Sequence, residues 1–190
     1  AVAFDKTGTL TEGRPRVTDV LPAPGQDEGA VLALAAAVER GSAHPLARAI
    51  LAEAEARRLP IPAATEQAAI AGRAATGRVG AQRVSIGSPR HAKEDGASLD
   101  VLAADIARLE AEGRTVAVVV VDGAAAAIVA LRDEPRADAA SGVAAIAALG
   151  LRPVMLTGDN PRTAAAIAGS LGLEAKAGLL PADKLREIAT

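Results

Sequence analysis

Two short apolar runs, each followed at once by a polar loop, stand near opposite ends of this 190-residue chain. The first, residues 1–4, leads into Asp5 and a turn at Gly8. The second, residues 153–156, leads into Thr157-Gly158-Asp159-Asn160, after which Pro161 opens a helical pattern to about Leu171. An alanine-rich helix is expected over 137–149, stopped by Gly150, with a further helical segment over 182–190. Strand–loop–helix alternation is the pattern of a parallel α/β sheet. Both apolar runs are therefore expected in one sheet, 1–4 as a short buried strand, and that requirement makes the domain discontinuous.

The middle of the chain follows another pattern. Residues 28–40 carry apolar side chains at Val31, Leu34, Ala35 and Val38, which is helical spacing. Gly41-Ser42 breaks that helix, and Ser42 is expected to cap a second one running to about Arg58, with Pro45 in its first turn. Alternating, glycine-rich segments at 69–79 and 82–86 predict antiparallel strands. A helix is expected over 99–112, followed by a β-branched strand at 115–121. Asp122-Gly123 then predicts a hairpin whose partner strand is 126–131. The simplest organisation is an α/β domain made of residues 1–13 and 132–190, with an α+β domain of residues 14–131 inserted into it. A chain that opens inside a strand and closes inside a helix is expected to be a piece of a longer protein.

Composition excludes several classes. One Phe and no Tyr or Trp leave Val, Leu, Ile and Ala to build the core, so elements must approach closely. A formal charge of −2 without a basic block gives nucleic-acid binding no support. The absence of cysteine excludes disulfides and thiolate metal sites within the sequence. No signal peptide and no apolar run of 18 or more residues is present, so a soluble segment is expected.

In open α/β sheets, ligands bind beyond the carboxyl ends of the strands. The loops after Asp5 and before Asn160 would meet at such an edge. A carboxylate there can attack phosphorus as a covalent nucleophile. Backbone N–H groups from Lys6 to Gly8 and the Thr157 hydroxyl would stabilise the transferring oxygens. Mg2+ would be held by Asp5 and the main-chain carbonyl of Thr7, and Lys184 would bring a positive charge to the same phosphoryl group. A lone Asp after a strand is more often a turn or cap residue; the attached Lys6-Thr7-Gly8-Thr9-Leu10-Thr11 favours the nucleophile.

Asp5-Lys6-Thr7-Gly8-Thr9-Leu10-Thr11 resembles the phosphorylation signature of P-type ATPases. Thr157-Gly158-Asp159-Asn160 is similar to their second phosphorylation-domain motif, and Pro181-Ala182-Asp183-Lys184 to the segment that delivers the lysine of the haloacid-dehalogenase fold. The order and separation of the three motifs match the family through nearly the whole chain. The resemblance implies an incomplete, haloacid-dehalogenase-like Rossmannoid phosphorylation domain with an inserted nucleotide-binding domain. It also implies ATP and Mg2+ as cofactors, membrane helices carrying the transported metal, an actuator domain in the same parent chain, and a place on the cytoplasmic face of a membrane. The family's Gly-Asp-Gly-x-Asn-Asp segment is expected beyond Lys184, so the chain is expected to bind ATP but to phosphorylate poorly.

Ser42-Ala43-His44-Pro45-Leu46 further resembles the Ser-Glu-His-Pro-Leu motif of heavy-metal pumps, the type IB group. It implies that His44 orients ATP and that Glu39 contacts adenine. Gly72-Arg73-Ala74 stands where the group has Gly-x-Gly, and Gly87-Ser88 matches a further nucleotide-site pair. Ala43 replaces the usual Glu and Ala74 the second Gly, where a methyl would crowd the nucleotide or strain the turn. His91 lacks such a context and is expected to be an ordinary surface residue. Residues 132–136 resemble the hinge at which the inserted domain rejoins the phosphorylation domain, a plain turn being an equal alternative. Zinc/cadmium/cobalt-type pumps fit better than copper-type ones. Two rival functions stay open: a soluble phosphatase of the same superfamily, and a nucleotide-binding module without turnover. Phosphatases commonly place an acid two residues after the nucleophile, where this chain has Thr7.

Overall fold

The computed structural model describes residues 1–70 and 73–189. The chain begins with β1 (Val2–Asp5), the loop Lys6–Leu10, β2 (Arg16–Pro22), α1 (Glu28–Glu39) and α2 (Pro45–Ala56). Next come β3 (Ala64–Ile70), β4 (Ala74–Val79), β5 (Gln82–Gly87), α3 (Pro89–Glu94), a 3-10 turn at Asp100–Leu102 and α4 (Ala103–Ala111). The hairpin β6 (Thr115–Val121) and β7 (Ala124–Arg132) follows. The last elements are α5 (Ala139–Ala148), β8 (Pro153–Leu156), α6 (Pro161–Leu171), β9 (Glu174–Lys176) and α7 (Pro181–Ala189). They form two compact units: Ala1–Arg14 with Glu110–Thr115 and Asp133–Thr190, and Pro15–Leu109 with Val116–Arg132.

In the first unit β1, β8 and β9 make a parallel sheet in the order β1-β8-β9. All four residues of β8 are buried, which is why its sequence is an unbroken apolar run. β1 was expected to be buried, but it lies at the sheet margin and alternates half-buried with exposed positions. Met155 centres a core built with Leu10, Val143, Ala164, Ile167 and Leu171. Residues Glu110–Thr115 are drawn into this unit by local bonds. Thr163, fully buried, donates its hydroxyl to the Arg114 carbonyl at 2.8 Å, and Arg162 pairs with the buried Glu110 at 3.3 Å. Gly113 adopts φ +78, so the backbone there favours glycine.

The second unit is a six-stranded antiparallel sheet in the order β2-β7-β6-β5-β4-β3, covered on both faces at β6 and β7. Val116, Val118 and Val120 pack with Leu99, Leu102, Ile106 and Leu109, while Ala117, Val119 and Val121 pack with α1 and α2. Two covered faces explain the apolar run in β6. Asp122-Gly123 turns the hairpin with both residues at positive φ, and Asp122 Oδ1 accepts from Arg83 N–H at 2.8 Å.

Several boundaries differ from the sequence expectation. His44, not Ser42, is the N-cap of α2; its Nδ1 accepts from the Leu46 N–H at 3.2 Å. The segment 69–79 is not one strand but the end of β3 and all of β4. The helix expected over 99–112 starts as a 3-10 turn. β2 escaped notice because a register shift between Val17 and Asp19 breaks its alternation. β9 has three residues and α3 six, too few to show a period.

Ala35, Ala36 and Ala37 of α1 are essentially sealed, so a methyl is the largest group the helix–sheet spacing admits there. Ala36→Leu is therefore expected to destabilise the second unit by about 1–3 kcal/mol in urea unfolding. Ala30→Leu, at an exposed position of the same helix, is expected to stay within about 0.5 kcal/mol of the parent.

Candidate active site

Asp5 and Leu156 are partners in the parallel register of β1 and β8, so the loops starting at Lys6 and Thr157 leave the sheet side by side at its carboxyl edge. The Asp5 carboxylate is half exposed, and its Oδ1 accepts from Lys184 Nζ of α7 at 2.5 Å. Residues 179 positions apart thus meet at one oxygen. Lys6 turns inward: it is 6% exposed, and its ammonium forms an ion pair with Asp159, whose Oδ1 lies 3.4 Å from Thr115 Oγ1. Losing one partner of so enclosed a pair would leave a buried charge, at a cost of about 3–5 kcal/mol. Lys6 and Asp159 therefore tie the two loops together.

Within the first loop Thr7 and Gly8 depart from helical geometry, Gly8 at φ +78. Thr11, fully buried, holds the loop closed. Its hydroxyl donates to Asp133 Oδ2 at 2.6 Å and accepts from Gly8 N–H at 3.3 Å. Asp133 Oδ1 in turn accepts from Arg14 N–H at 3.0 Å. Gly8 N–H, expected to face a ligand, is thus engaged inside the loop. Asp133 had drawn notice only as part of a hinge. Its partner is 122 positions away, a separation that no local pattern signals.

In the second loop Thr157 is buried; its Oγ1 accepts from Asp159 N–H at 3.1 Å, which leaves its hydroxyl proton available to an acceptor. Gly178 N–H donates to Asp159 O at 2.7 Å and Leu179 N–H to Thr157 O at 3.0 Å. A side chain at Gly158 would press on Leu179 O at 3.3 Å. Asn160 caps α6, its Oδ1 accepting from the N–H groups of Arg162 and Thr163. Thr7 is exposed beside Asp5. Among the described residues no group of three or more His, Cys, Asp or Glu forms a metal cage.

The second unit gathers the other candidates in two places. Glu39, at the end of α1, is buried, and desolvation raises its pKa, with a Ser42 hydrogen bond opposing that shift. Ser42 Oγ also accepts from His44 N–H at 3.3 Å, so Ser42 links Glu39 to His44. The His44 residue is exposed, yet crowding around the imidazole desolvates it enough to lower its pKa. With Nδ1 occupied as the cap acceptor, the neutral ring carries its proton on Nε2, which is left as a donor. Ala74 pairs with Gly87 in the β4–β5 register, and a Cβ on Gly87 would lie 2.7 Å from Arg73 O and 2.8 Å from Ala74 Cβ. Ala74 is not at positive φ, so the feared backbone strain is absent and its methyl sits where Gly87 leaves room. Ser88 caps α3 through His91 N–H at 3.2 Å. His91, expected at the surface, is half-buried with Cδ2 close to Gly87. Gly72 lies outside the described residues.

A carboxylate at the end of a parallel strand, with a lysine and a Thr–Asp loop beside it, defines an α/β domain of the hydrolase class. The chain belongs to the haloacid dehalogenase-like hydrolase family, whose model matches residues 1–189. It is 50% identical over 188 residues to a zinc/cadmium/lead-transporting P-type ATPase of Shigella sonnei (strain Ss046), covering 98% of this chain and 25% of that protein. It is 45% identical over 189 residues to a probable copper-exporting P-type ATPase V of Mycobacterium tuberculosis (strain CDC 1551 / Oshkosh), covering 98% of this chain and 24% of that one. Among solved structures, the catalytic domain of the CPx-ATPase CopB-B, studied for its conformational changes upon nucleotide binding, superposes with a TM-score of 0.76 at 26% identity. That match covers 98% of this chain and 64% of the other. The chain thus spans about a quarter of the length of the curated relatives it matches.

A lowered His44 pKa means that the unfolded chain takes up the proton first as pH falls. The stability His44 contributes is full above its ordinary pKa of about 6.5 and is lost as pH drops through the depressed folded value. His44→Asn keeps a cap acceptor without a titrating group. The thermal midpoint of the parent chain is expected to fall further than that of His44→Asn between about pH 7.5 and about pH 5.5.

Proposed function

We propose that this chain is the ATP-binding and phosphorylation portion of a heavy-metal-transporting P-type ATPase. The observation that carries the reading is the setting of Asp5, an accessible carboxylate at the sheet edge with Lys184 on one oxygen and no acid at position 7. ATP held by the unit containing Glu39 and His44 donates its γ-phosphoryl group. A bond forms between an Asp5 carboxylate oxygen and the γ-phosphorus, the bond from that phosphorus to the β,γ-bridging oxygen breaks, and ADP leaves. Lys184 balances charge at the phosphoryl oxygens, and the Thr157 hydroxyl donates to one of them.

A single available carboxylate at Asp5, with the Thr7 carbonyl close in sequence, suits Mg2+ brought in on the nucleotide phosphates better than a preformed cage; Asp159 is already paired with Lys6. When bound, Mg2+ would neutralise phosphate charge. Thr7 has no acid/base group to hasten hydrolysis of the aspartyl-phosphate, which favours a pump intermediate over phosphatase turnover. In the parent protein that intermediate would drive a zinc- or cadmium-class ion through membrane helices, with an actuator domain acting on the phosphoenzyme at the cytoplasmic face. The higher identity to the zinc/cadmium/lead-transporting relative supports that cargo class.

The parent protein incubated with γ-labelled ATP is expected to carry an acid-stable, hydroxylamine-labile label, and Asp5→Asn to abolish it; label persisting in Asp5→Asn would overturn the assignment. In calorimetry on this chain, His44→Ala is expected to weaken ATP binding by roughly five- to ten-fold, the loss of one hydrogen bond.

A further inference from the structure

β3 carries a strained irregularity next to the proposed nucleotide site. Its register with β4 shifts between Thr65, which pairs with Arg78, and Ala68, which pairs with Thr76. Glu66 and Gln67 therefore face the single residue Gly77, a β-bulge. Glu66 adopts φ +52, a conformation that non-glycine residues rarely hold, and such strain persists where surroundings enforce it. The bulge turns Gln67 toward the end of α1. Its Nε2 donates to Ala37 O at 2.9 Å and to Val38 O at 3.2 Å, the residues immediately before Glu39. Gly77 makes room: a Cβ there would lie 3.2 Å from Val38 Cγ1 and 3.4 Å from Gln67 Cγ.

Those two bonds settle the orientation of the amide, because only the NH2 group can donate to carbonyls. Both Nε2 hydrogens are then consumed, and Oε1 is left as an acceptor. That oxygen lies on the Gly41 side, 3.8 Å from where a Gly41 Cβ would be, beside the turn that joins Glu39 to Ser42 and His44. A larger residue at 41 would cover it. A fixed acceptor matches the exocyclic amino group of adenine, and it opposes the carbonyl that guanine presents at the same place.

We propose that Gln67 is a specificity-determining residue of the nucleotide site, accepting the adenine amino group on Oε1 and discriminating against guanine; this rests on the nucleotide-binding reading above. The bulge and the α1 carbonyls exist in this arrangement to hold one amide oxygen still.

The test is titration of the chain with ATP, GTP and purine riboside 5′-triphosphate, which lacks the exocyclic amine, for the parent, Gln67→Lys and Gln67→Met. Lysine keeps a donor for the α1 carbonyls but has no acceptor, and its charge acts on all three triphosphates alike. The parent is expected to prefer ATP over both analogues by roughly five- to ten-fold or more. In Gln67→Lys the preference is expected to collapse toward unity with the thermal midpoint retained. Gln67→Met, of similar length and with only a weakly accepting sulfur in place of the amide, supplies the same readout if the lysine variant fails to fold. An ATP preference that survives in a folded variant overturns the role of Gln67 while leaving nucleotide binding intact. Equal weakening of all three ligands overturns it too, since that marks a purely structural amide. A parent chain that binds none of the three overturns both readings.

Discussion

The parallel pairing of β1 with β8 is the constraint on which the first unit depends. Asp5 opposite Leu156 sets the origin of both loops, and the later contacts follow from it: Lys184 on Asp5 and Lys6 with Asp159. A slip of one residue would reverse the faces of β1, taking Asp5 to the wrong side and Phe4 off the core. The sealed β8, with Met155 at the core, makes such a slip costly. The buried Lys6–Asp159 pair then acts as a pin, since it fits one arrangement of the loops and penalises others.

Much of this was legible because it lies in local signals. The strand ending at Asp5, the Thr157-Gly158-Asp159 loop, the Pro161 helix start and the Asp122-Gly123 hairpin are each spelled out over a few neighbouring residues. The meeting of Asp5 with Lys184 followed from motif order. What the sequence could not express is side-chain pairing across long separations and turns whose logic is three-dimensional. Thr11 finds Asp133, Ser42 serves as a link while His44 does the capping, and Gln67 reaches α1 only through a bulge. Lys6 was expected to act through its backbone N–H, and nothing local signalled that its side-chain charge pairs with Asp159.

The second unit shows how a core without aromatic side chains stays close-packed. Alanine fills the inner face of α1, and glycine stands where a methyl would be tight, at Gly77 under Val38, or would collide, at Gly87 against Arg73 and Ala74. Ala74 and Gly87 divide one small space between them, so a change at either position is read at the other. The same economy of volume lets Gln67 lie over Gly77 and reach the carbonyls of α1.

The discontinuity of the first unit has a consequence for the order in which the protein matures during synthesis. Nearly all of the second unit is made before β8 exists, so its sheet can close while the ribosome is still extending the chain. β1 must wait, unpaired, for a partner more than a hundred residues later, and contacts of such sequence separation form slowly. The strand bearing Asp5 is thus translated before the second unit and paired only after it, and during that interval it is the segment most in need of protection from pairing with the wrong edge.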